Sequence, residues 1–304
     1  MVTHTYTYEG ALNDALKVNW KVEDIIGGDK ALDFTKPFMP EALAGVSGLT
    51  MLDAKEKLLL NQIRGNSYLH LFGFVEEFIL PYVLDAARAA VHGDAVEVRA
   101  LSTFAEEEAK HIHLFQRFAE EFKKGFGVEC GVIGPASEVA KVVLGHSPLG
   151  VGLLILHLEW MTQAHYLDSL RDDQALDPQF KSLLRHHWME ESQHAKLDTM
   201  LVAKHAESAD SATLEKAFAD FGALGGAVNG LLGQQVGLDL VSLEKAAKRT
   251  FTEAEKAEIS AAQIKSYRYT FLVSGLVHAN FLRTVNDLSP AAALNMGAMA
   301  KALS

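Results

Sequence analysis

The stretch His187-Trp-Met-Glu-Glu191-Ser-Gln-His194 places three side chains that suit a metal ion on one side of a helix. At about 100° per residue, His187 and Glu191 lie about 40° apart around the helix axis, and Glu191 and His194 lie about 60° apart. All three side chains therefore occupy one sector of the helix. Imidazole and carboxylate groups are ligands that suit iron and manganese. The stretch predicts a helix that presents metal ligands on one face.

A second Glu-x-x-His element occurs upstream, at Glu108 and His111. A single glutamate precedes each element, Glu76 before the first and Glu159 before the second. The interval from Glu76 to Glu108 equals that from Glu159 to Glu191, and each is long enough for a helix, a turn and part of an antiparallel return helix. The longer interval between the two halves leaves room for a crossover that contains a short helix. This is the ligand order of a four-helix bundle that holds two metal ions in its core.

The ligand order predicts an all-α protein, with a ferritin-like four-helix bundle around a di-metal centre, extra C-terminal helices and an irregular N-terminal arm. No run of the sequence shows the alternation of a strand. We predict a single domain over residues 1–304. Within it, residues 1–49 form an extended arm, residues 50–206 form the metal-binding core with its crossover, and residues 207–304 add further helices.

Capping residues and apolar periodicity predict the helix boundaries. Thr50-Met-Leu-Asp53 resembles a capping box, and Asp177-Pro178 is an N-cap followed by a proline at the first helical position. The predicted helices span 50 to about 92, 94–124, 136–144, 148 to about 173, 178 to about 206, 211–248, 252 to about 274, and a last segment to 287. Five glycines between Gly222 and Gly233 fall inside one of these helices and predict close helix packing.

Two neighbouring glutamates, Glu76 and Glu77, compete for the first ligand position. The apolar side chains of their helix lie within about 60° of Glu76, whereas Glu77 lies about 100° away. Glu159 sits among apolar residues with no basic neighbour in the sequence. A carboxylate in a core is unfavourable unless it is paired or coordinates a metal. We therefore favour Glu76 over Glu77 and expect Glu159 to be a ligand.

Three further residues of the pattern have alternative interpretations. Glu108 ends a run of three glutamates that could form a solvated surface, but the aromatic residues Phe104 and Phe115 share its face. His187 could be structural, but its position four residues before Glu191 directs it to the metal face. Glu190 points about 100° away from Glu191 and is predicted to lie at the surface or behind the ligands. A ligating histidine normally donates its other ring N–H to a carboxylate or carbonyl, so we expect such partners here.

Composition narrows the functional classes. The formal net charge of −11 argues against binding to nucleic acid or to an anionic membrane surface. The single cysteine, Cys130, excludes an internal disulfide and suits a reducing compartment. The first ten residues have neither a basic region nor an apolar one of the kind found in signal peptides, and no apolar run is long enough to span a bilayer. We expect a cytoplasmic protein.

The pattern resembles the AurF-like di-iron N-oxygenases, typified by p-aminobenzoate N-oxygenase. Members of that family share the ligand order and the H-x-x-x-E-x-x-H element, here His187, Glu191 and His194. Tyr68, eight residues before Glu76, and the segment Glu76-Glu-Phe-Ile79 also match. The resemblance covers roughly residues 60–205.

The resemblance implies a function as well as a fold. Seven residues would hold two iron ions, with manganese or a mixed Mn/Fe pair also suited to them: Glu76, Glu108, His111, Glu159, His187, Glu191 and His194. The protein would be a di-iron oxygenase that activates O₂, its co-substrate, through a peroxo intermediate and oxidises an (aryl)amine. It would need a small-molecule substrate and an external electron donor. A homodimer is compatible with the sequence.

Other ferritin-like functions remain as alternatives. A radical-generating subunit of the ribonucleotide reductase type would carry a tyrosine four residues after His111, where this chain has Phe115. An iron-binding protein without catalysis would not need the helices after residue 206. A di-iron hydroxylase or oxidase that acts on an acyl or hydrocarbon substrate is the main alternative. The observation that would distinguish the substrates is a polar group in the cavity that could hold the acid end of an amine substrate.

Overall fold

The computed structural model describes residues 2–304 and is built from helices. In chain order these are α1 (Tyr8–Ala15), α2 (Val22–Ile25), α3 (Glu41–Ala44), α4 (Ala54–Ala90), α5 (Ala95–Phe126), α6 (Ala136–Leu144), α7 (Pro148–His165), α8 (Pro178–Glu207), α9 (Ser211–Ala247), α10 (Glu253–Arg268), α11 (Ser274–Leu276), α12 (Ala279–Leu288) and α13 (Pro290–Leu303). Two π-helical turns, Tyr166–Leu170 and Tyr269–Val273, continue α7 and α10. Within the described residues no strand forms, and one isolated bridge joins Gly27 to Lys30.

Four long helices, α4, α5, α7 and α8, form the bundle that the ligand order predicted. α4 packs along α5, and α7 packs along α8. The short helix α6 lies in the crossover between the two pairs and packs against α4. Nearly every side chain of α7 is buried, from Leu149 to Gln163, because α8, α9 and the C-terminal helices surround it. The bundle core therefore lies around α7, and Glu159 lies inside it.

Most helix boundaries agree with the sequence prediction, and the exceptions have local causes. The capping box at the start of α4 is formed by Asp53 and Glu56 rather than by Thr50 and Asp53. The Asp53 side chain accepts a hydrogen bond from the Glu56 amide at 2.8 Å, and the Glu56 carboxylate accepts one from the Asp53 amide at 3.0 Å. The acidic pair satisfies two free amides at once, so the helix begins there.

The chain also continues beyond the predicted last helix. The sequence predicted an end at residue 287, whereas α13 begins at Pro290 and runs to Leu303. Ser289 caps it, since its side chain accepts a hydrogen bond from the Ala292 amide at 3.2 Å. The Ser-Pro dipeptide is a helix start signal of the same type as Asp177-Pro178.

The N-terminal arm is irregular, as predicted, but it is not extended throughout. It contains α1, α2 and α3, and α1 packs against α5 and α8 of the bundle. An ion pair between Lys196 Nζ and Asp14 Oδ2 at 2.8 Å joins α8 to the arm. The arm thus forms part of the wall over one side of the bundle.

The glycines of α9 do not mark close packing, so that prediction was wrong. A Cβ atom added at Gly222, Gly225, Gly226, Gly230 or Gly233 would meet no heavy atom within 4 Å. Other residues of α9 make its contacts with the bundle. The Phe221 ring meets that of His157 on α7 at a centroid distance of 6.1 Å, and Asp239 Oδ1 accepts a hydrogen bond from Ser67 Oγ of α4 at 2.6 Å. Small residues permit a close approach but do not by themselves show that a partner is present.

Among residues 2–304, no helix combines the length and apolar character that crossing a bilayer requires.

Candidate metal centre

The structure brings together, in the bundle core, all seven residues that the sequence singled out as ligands. Glu76 comes from α4, Glu108 and His111 from α5, Glu159 from α7, and His187, Glu191 and His194 from α8. Each is 2% exposed or less. Four carboxyl groups and three imidazoles in one dry core are strongly unfavourable unless something offsets their charge. That these residues bind metal remains a prediction; that they form one buried cluster is a feature of the fold.

The donor atoms of the cluster fall into two overlapping groups. One atom each from Glu76, His111, His187 and Glu191 lie within 4.8 Å of one another, and so do one atom each from Glu108, His111, Glu191 and His194. Glu159 lies outside both groups, but its carboxyl group contacts that of Glu191. His111 and Glu191 therefore lie at the centre of the cluster.

The carboxyl groups meet in two pairs, Glu76 with Glu108 and Glu159 with Glu191. Burial raises the pKa of Glu76 and of Glu159 well above the ordinary value, and the charge of the partner carboxylate raises it further. Burial acts in the same direction on Glu108, but contact with Glu76 and the charge of His194 outweigh it and lower the pKa of Glu108 to about 2. The pKa of Glu191 is likewise lowered, by His187 and Glu159 against burial. In each pair, therefore, one carboxyl group, Glu76 or Glu159, keeps its proton to a higher pH than its partner.

The pKa values of the three histidines are also shifted in different directions. Burial lowers the pKa of His111 and His194, but the surrounding glutamates outweigh burial and raise it well above the ordinary value. The pKa of His187 is lowered, with burial as the main cause. A metal ion needs unprotonated imidazoles, so it would replace the protons on His111 and His194.

The hydrogen-bonding of the donor atoms tests whether metal ions would fit. Buried atoms without a hydrogen bond include Nδ1 of His111 and His194, Oε2 of Glu76 and Glu159, Oε1 of Glu191 and both carboxylate oxygens of Glu108. Some of these atoms are close: His194 Nδ1 lies 2.9 Å from Glu108 Oε1, and His111 Nδ1 lies 3.2 Å from Glu191 Oε1. They are near one another without the geometry of a hydrogen bond. Buried polar atoms left in this state fit cations placed among them.

Two further glutamates, Glu107 and Glu190, orient two of the histidines. His111 Nε2 donates a hydrogen bond to Glu190 Oε2 at 2.9 Å, and His194 Nε2 donates one to Glu107 Oε2 at 2.9 Å. Each bond crosses between α5 and α8. The bond fixes the tautomer of the imidazole and leaves its Nδ1 facing the cluster. The expectation that these histidines donate their other ring N–H to a carboxylate or carbonyl is confirmed.

The sequence carries a signal for these partners. Both elements read Glu-Glu-x-x-His, with Glu107 before Glu108 and Glu190 before Glu191. The first glutamate of each element binds the histidine of the other helix. Glu190 was expected at the surface or behind the ligands, and it is fully buried behind His111. Glu107 was expected only to belong to a run of glutamates on a solvated surface.

Comparisons with known proteins give structural matches only. No protein-family model and no curated protein sequence matches the chain. Among solved structures, two variants of an R2-like ligand-binding oxidase with an anaerobically reconstituted Mn/Fe cofactor are similar, each with a TM-score of 0.50 and 15% identity. The match covers 88% of this chain and 92% or 93% of theirs. The fold is ferritin-like. At this identity the similarity extends to the fold alone, and the Mn/Fe cofactor belongs to those proteins.

The arm closes the α5–α8 side of the cluster. The Trp20 ring stacks on the His111 ring, with centroids 6.1 Å apart and planes 12° apart. Lys110 Nζ lies 4.2 Å from the Trp20 ring centroid and 2.5 Å from Glu190 Oε1. The ammonium group offsets the charge of Glu190, and the indole covers the pair. This chain of contacts keeps Glu190 available as the acceptor for His111.

His187 and the neighbouring aromatic rings form the opposite wall. His187 Nε2 lies 3.0 Å from Glu76 Oε1 and 3.1 Å from Glu191 Oε1. The rings of Phe72 and Phe115 meet the imidazole edge to face, at centroid distances of 5.6 Å and 4.9 Å. Two apolar rings therefore pack against the His187 imidazole.

The structure also adds a residue that sequence analysis missed. Asp198 is fully buried on α8, one turn after His194, and neither of its carboxylate oxygens has a hydrogen-bond partner. Burial raises its pKa well above the ordinary value. The spacing of four residues from His194 was the available signal.

Proposed function

We propose that this protein is a non-haem di-metal oxidase, with iron or manganese as the metals, that uses O₂ to oxidise a small organic molecule. The observation that carries the proposal is the buried cluster itself, in which donor atoms without hydrogen bonds converge and two histidines are oriented by carboxylates on opposite helices. A metal-free structural role would leave these groups unsatisfied in the core.

The residues that would hold the metals are Glu76, Glu108, His111, Glu159, His187, Glu191 and His194. Four carboxylates offset the charge of two divalent cations, and carboxylate and imidazole ligands suit iron and manganese. The bound metals would supply the electrons that reduce O₂, and an external donor would restore them. The protein would hold the imidazoles in one tautomer through Glu107 and Glu190 and exclude water with the apolar rings of Phe72 and Phe115.

Within this class we propose N-oxygenation of an (aryl)amine as the reaction. Its support is the third histidine, His187, which contacts Glu76 and Glu191 and extends the ligand pattern as in the AurF-like N-oxygenases. The second candidate is hydroxylation or oxidation of an acyl or hydrocarbon substrate, which the apolar surroundings of the cluster favour.

Metal analysis of the purified protein tests the proposal. We expect two metal ions per chain in wild type and a loss of at least one in Glu76→Ala. Glu77→Ala is the matched control, because Glu77 is the next residue on the same helix but lies outside the cluster. Equal metal content in both variants, or wild-type protein that binds no metal after reconstitution with Fe(II) or Mn(II), would overturn the proposal.

Oxygen consumption separates catalysis from iron binding. The Fe(II)-loaded protein should consume O₂ and, given an electron donor and an arylamine, form an oxygenated amine detectable by mass spectrometry. Repeated consumption with an alkyl or acyl substrate but not with amines would favour the second candidate. Iron oxidation in a single burst, without turnover on any substrate, would favour an iron-binding protein.

A further inference from the structure

A cavity of about 490 Å³ lies between α4, α5 and the segment at residues 128–132, outside the metal cluster. Small-molecule sites in proteins have volumes of about 300–1,000 Å³, so the cavity can take a small organic ligand. Gly73 helps to make the space, since a Cβ atom there would meet only the Cβ of Phe115, at 4.0 Å.

The cavity adjoins the cluster through three residues. Phe115 lines the cavity, and its ring also contacts the His187 imidazole at a centroid distance of 4.9 Å. Glu77 and Ile112 line it as well, and they directly follow the cluster residues Glu76 and His111 in the chain. The Phe115 side chain therefore connects the cavity to the cluster.

The wall of the cavity is mostly apolar, whereas charged groups lie among its other lining residues. The apolar wall includes Leu69, Phe74, Ile112, Phe115 and Val132. Such a wall favours an aromatic or aliphatic body, because burying apolar surface is favourable by roughly 25 cal/mol per Å².

The charged groups that line the cavity are paired, with one exception. Lys123 Nζ lies 3.7 Å from Glu129 Oε1, and Glu120 Oε2 lies 3.4 Å from Arg117 Nε. Within residues 2–304, no hydrogen bond or ion pair engages the carboxylate of Glu77. Burial lowers the pKa of His70, so its ring is neutral at neutral pH and adds no positive charge.

We infer that this cavity binds a small alkylamine, with its apolar body against the wall and its cationic amine group at Glu77. A carboxylate in the ligand would meet the unpaired negative charge of Glu77, and the lysine on the cavity lining already has a partner. The Lys123 side chain is 73% exposed, so its ammonium group lies largely in solvent and is a weak partner for an acid end. The inference rests on the proposed function for what happens to the amine, but the binding itself does not.

Isothermal titration with three ligands of one shape tests the inference. Phenylbutylamine, phenylbutanol and phenylbutanoate share the apolar body and differ in the charge of the end group. We expect the amine to bind about tenfold more tightly than the alcohol, as for a charge-assisted hydrogen bond in a partly buried site, and the acid to bind most weakly. Equal affinity for the three ligands, or preference for the acid, would overturn the inference.

Variants assign the binding to this cavity. Glu77→Gln should remove the preference for the amine over the alcohol, whereas Glu120→Gln, which changes a paired carboxylate on the same cavity, should keep it. Ala119→Phe should fill the cavity and weaken all three ligands, with circular dichroism to confirm the helical fold. A preference that survives Glu77→Gln would show that the amine binds elsewhere.

Metal content measured on the same samples keeps the two proposals separate. Glu77→Gln should retain two metal ions per chain. Protein that prefers the amine but binds no metal would overturn the proposed oxidase and leave the cavity assignment standing. Protein that binds two metals but shows no amine preference would overturn the cavity assignment alone.

Discussion

His187 is the residue that distinguishes this cluster from one built on two Glu-x-x-His elements alone. It lies on α8 one turn before Glu191 and contacts both Glu76 and Glu191. Its low pKa, caused by burial, keeps the imidazole unprotonated and available as a ligand at neutral pH. Its contribution can therefore be separated from that of the other six residues of the cluster.

For His187→Ala we expect two metals to remain bound by the six other residues, with oxidation of amines reduced at least about tenfold. The metal-free protein should lose about 1–3 kcal/mol of stability, the range for a lost buried polar contact. His186→Ala is the control, because the neighbouring His186 hydrogen-bonds to Ser182 on its own helix and its ring contacts that of Trp20. Metal content, urea denaturation and amine turnover are the measurements. Unchanged turnover in His187→Ala would assign His187 a structural role only.

Glu107 and Glu190 act through the histidines that they orient. We expect Glu107→Gln and Glu190→Gln each to weaken metal binding by about 10- to 100-fold, the range for loss of such partners. Glu106→Gln is the control, since Glu106 is exposed on the same turn of α5. Competition with a chelator of known affinity measures the effect. Equal affinities in the three variants would show that the bonds between α5 and α8 do not support the metal site.

At the scale of elements, close packing of the bundle helices holds the residues of the cluster at one level. α7 carries Glu159 and contacts α4 and α8 where glycine leaves room. A Cβ atom at Gly152 would lie 2.5 Å from Tyr82 Oη of α4 and 3.3 Å from a Val202 methyl group of α8. α9 presents the opposite case, because its glycines face open space.

This contrast predicts opposite effects of one substitution. Gly152→Ala should destabilise the protein by about 1–3 kcal/mol through overpacking. Gly226→Ala should stabilise it by about 0.5–1 kcal/mol, since alanine favours a helix and the added methyl group meets nothing. Free energies of unfolding from urea titration check both values. Destabilisation by Gly226→Ala would indicate that another surface covers that side of α9.

At the scale of the whole molecule, the cluster links protonation, metal binding and folding. His111 and His194 have raised pKa values in the folded metal-free protein. The stability that these protonated groups contribute is fully present below the unfolded pKa of about 6.5 and is lost as the pH rises through their folded values. Metal binding requires the same imidazoles without protons and therefore strengthens as the pH rises.

We therefore expect the melting temperature of the metal-free protein to fall from pH 6 to pH 8, while the increase caused by bound metal grows over the same range. Differential scanning calorimetry of metal-free and metal-loaded samples measures both. The double variant that removes the imidazoles, His111→Gln with His194→Gln, should reduce the pH dependence above pH 6.5, and the raised pKa values of Glu76, Glu159 and Asp198 account for what remains. A metal-induced increase that shrinks with pH would contradict the assignment of the histidines as ligands.

The sequence by itself determined the helices and the faces on which their polar residues lie. Hydrophobic periodicity and helix capping depend on residues that are close in the sequence. The spacing of Glu76, Glu108, Glu159 and Glu191 was therefore enough to predict the bundle and to place its carboxylates inward. Local signals also misled where a partner mattered: the α9 glycines suggested a contact that does not form. Local signals cannot show which surface meets which.

Only the tertiary structure decided which groups pair across helices. Glu107 bonds to His194 and Glu190 to His111 because α5 and α8 lie side by side in the bundle, and Trp20 covers His111 because the arm folds back over α5. Glu76 and Glu77 are neighbours in the chain, yet one lies in the cluster and the other lines the cavity. The charge that each carboxylate meets depends on residues distant in the sequence, which is why the structure was needed to separate their roles.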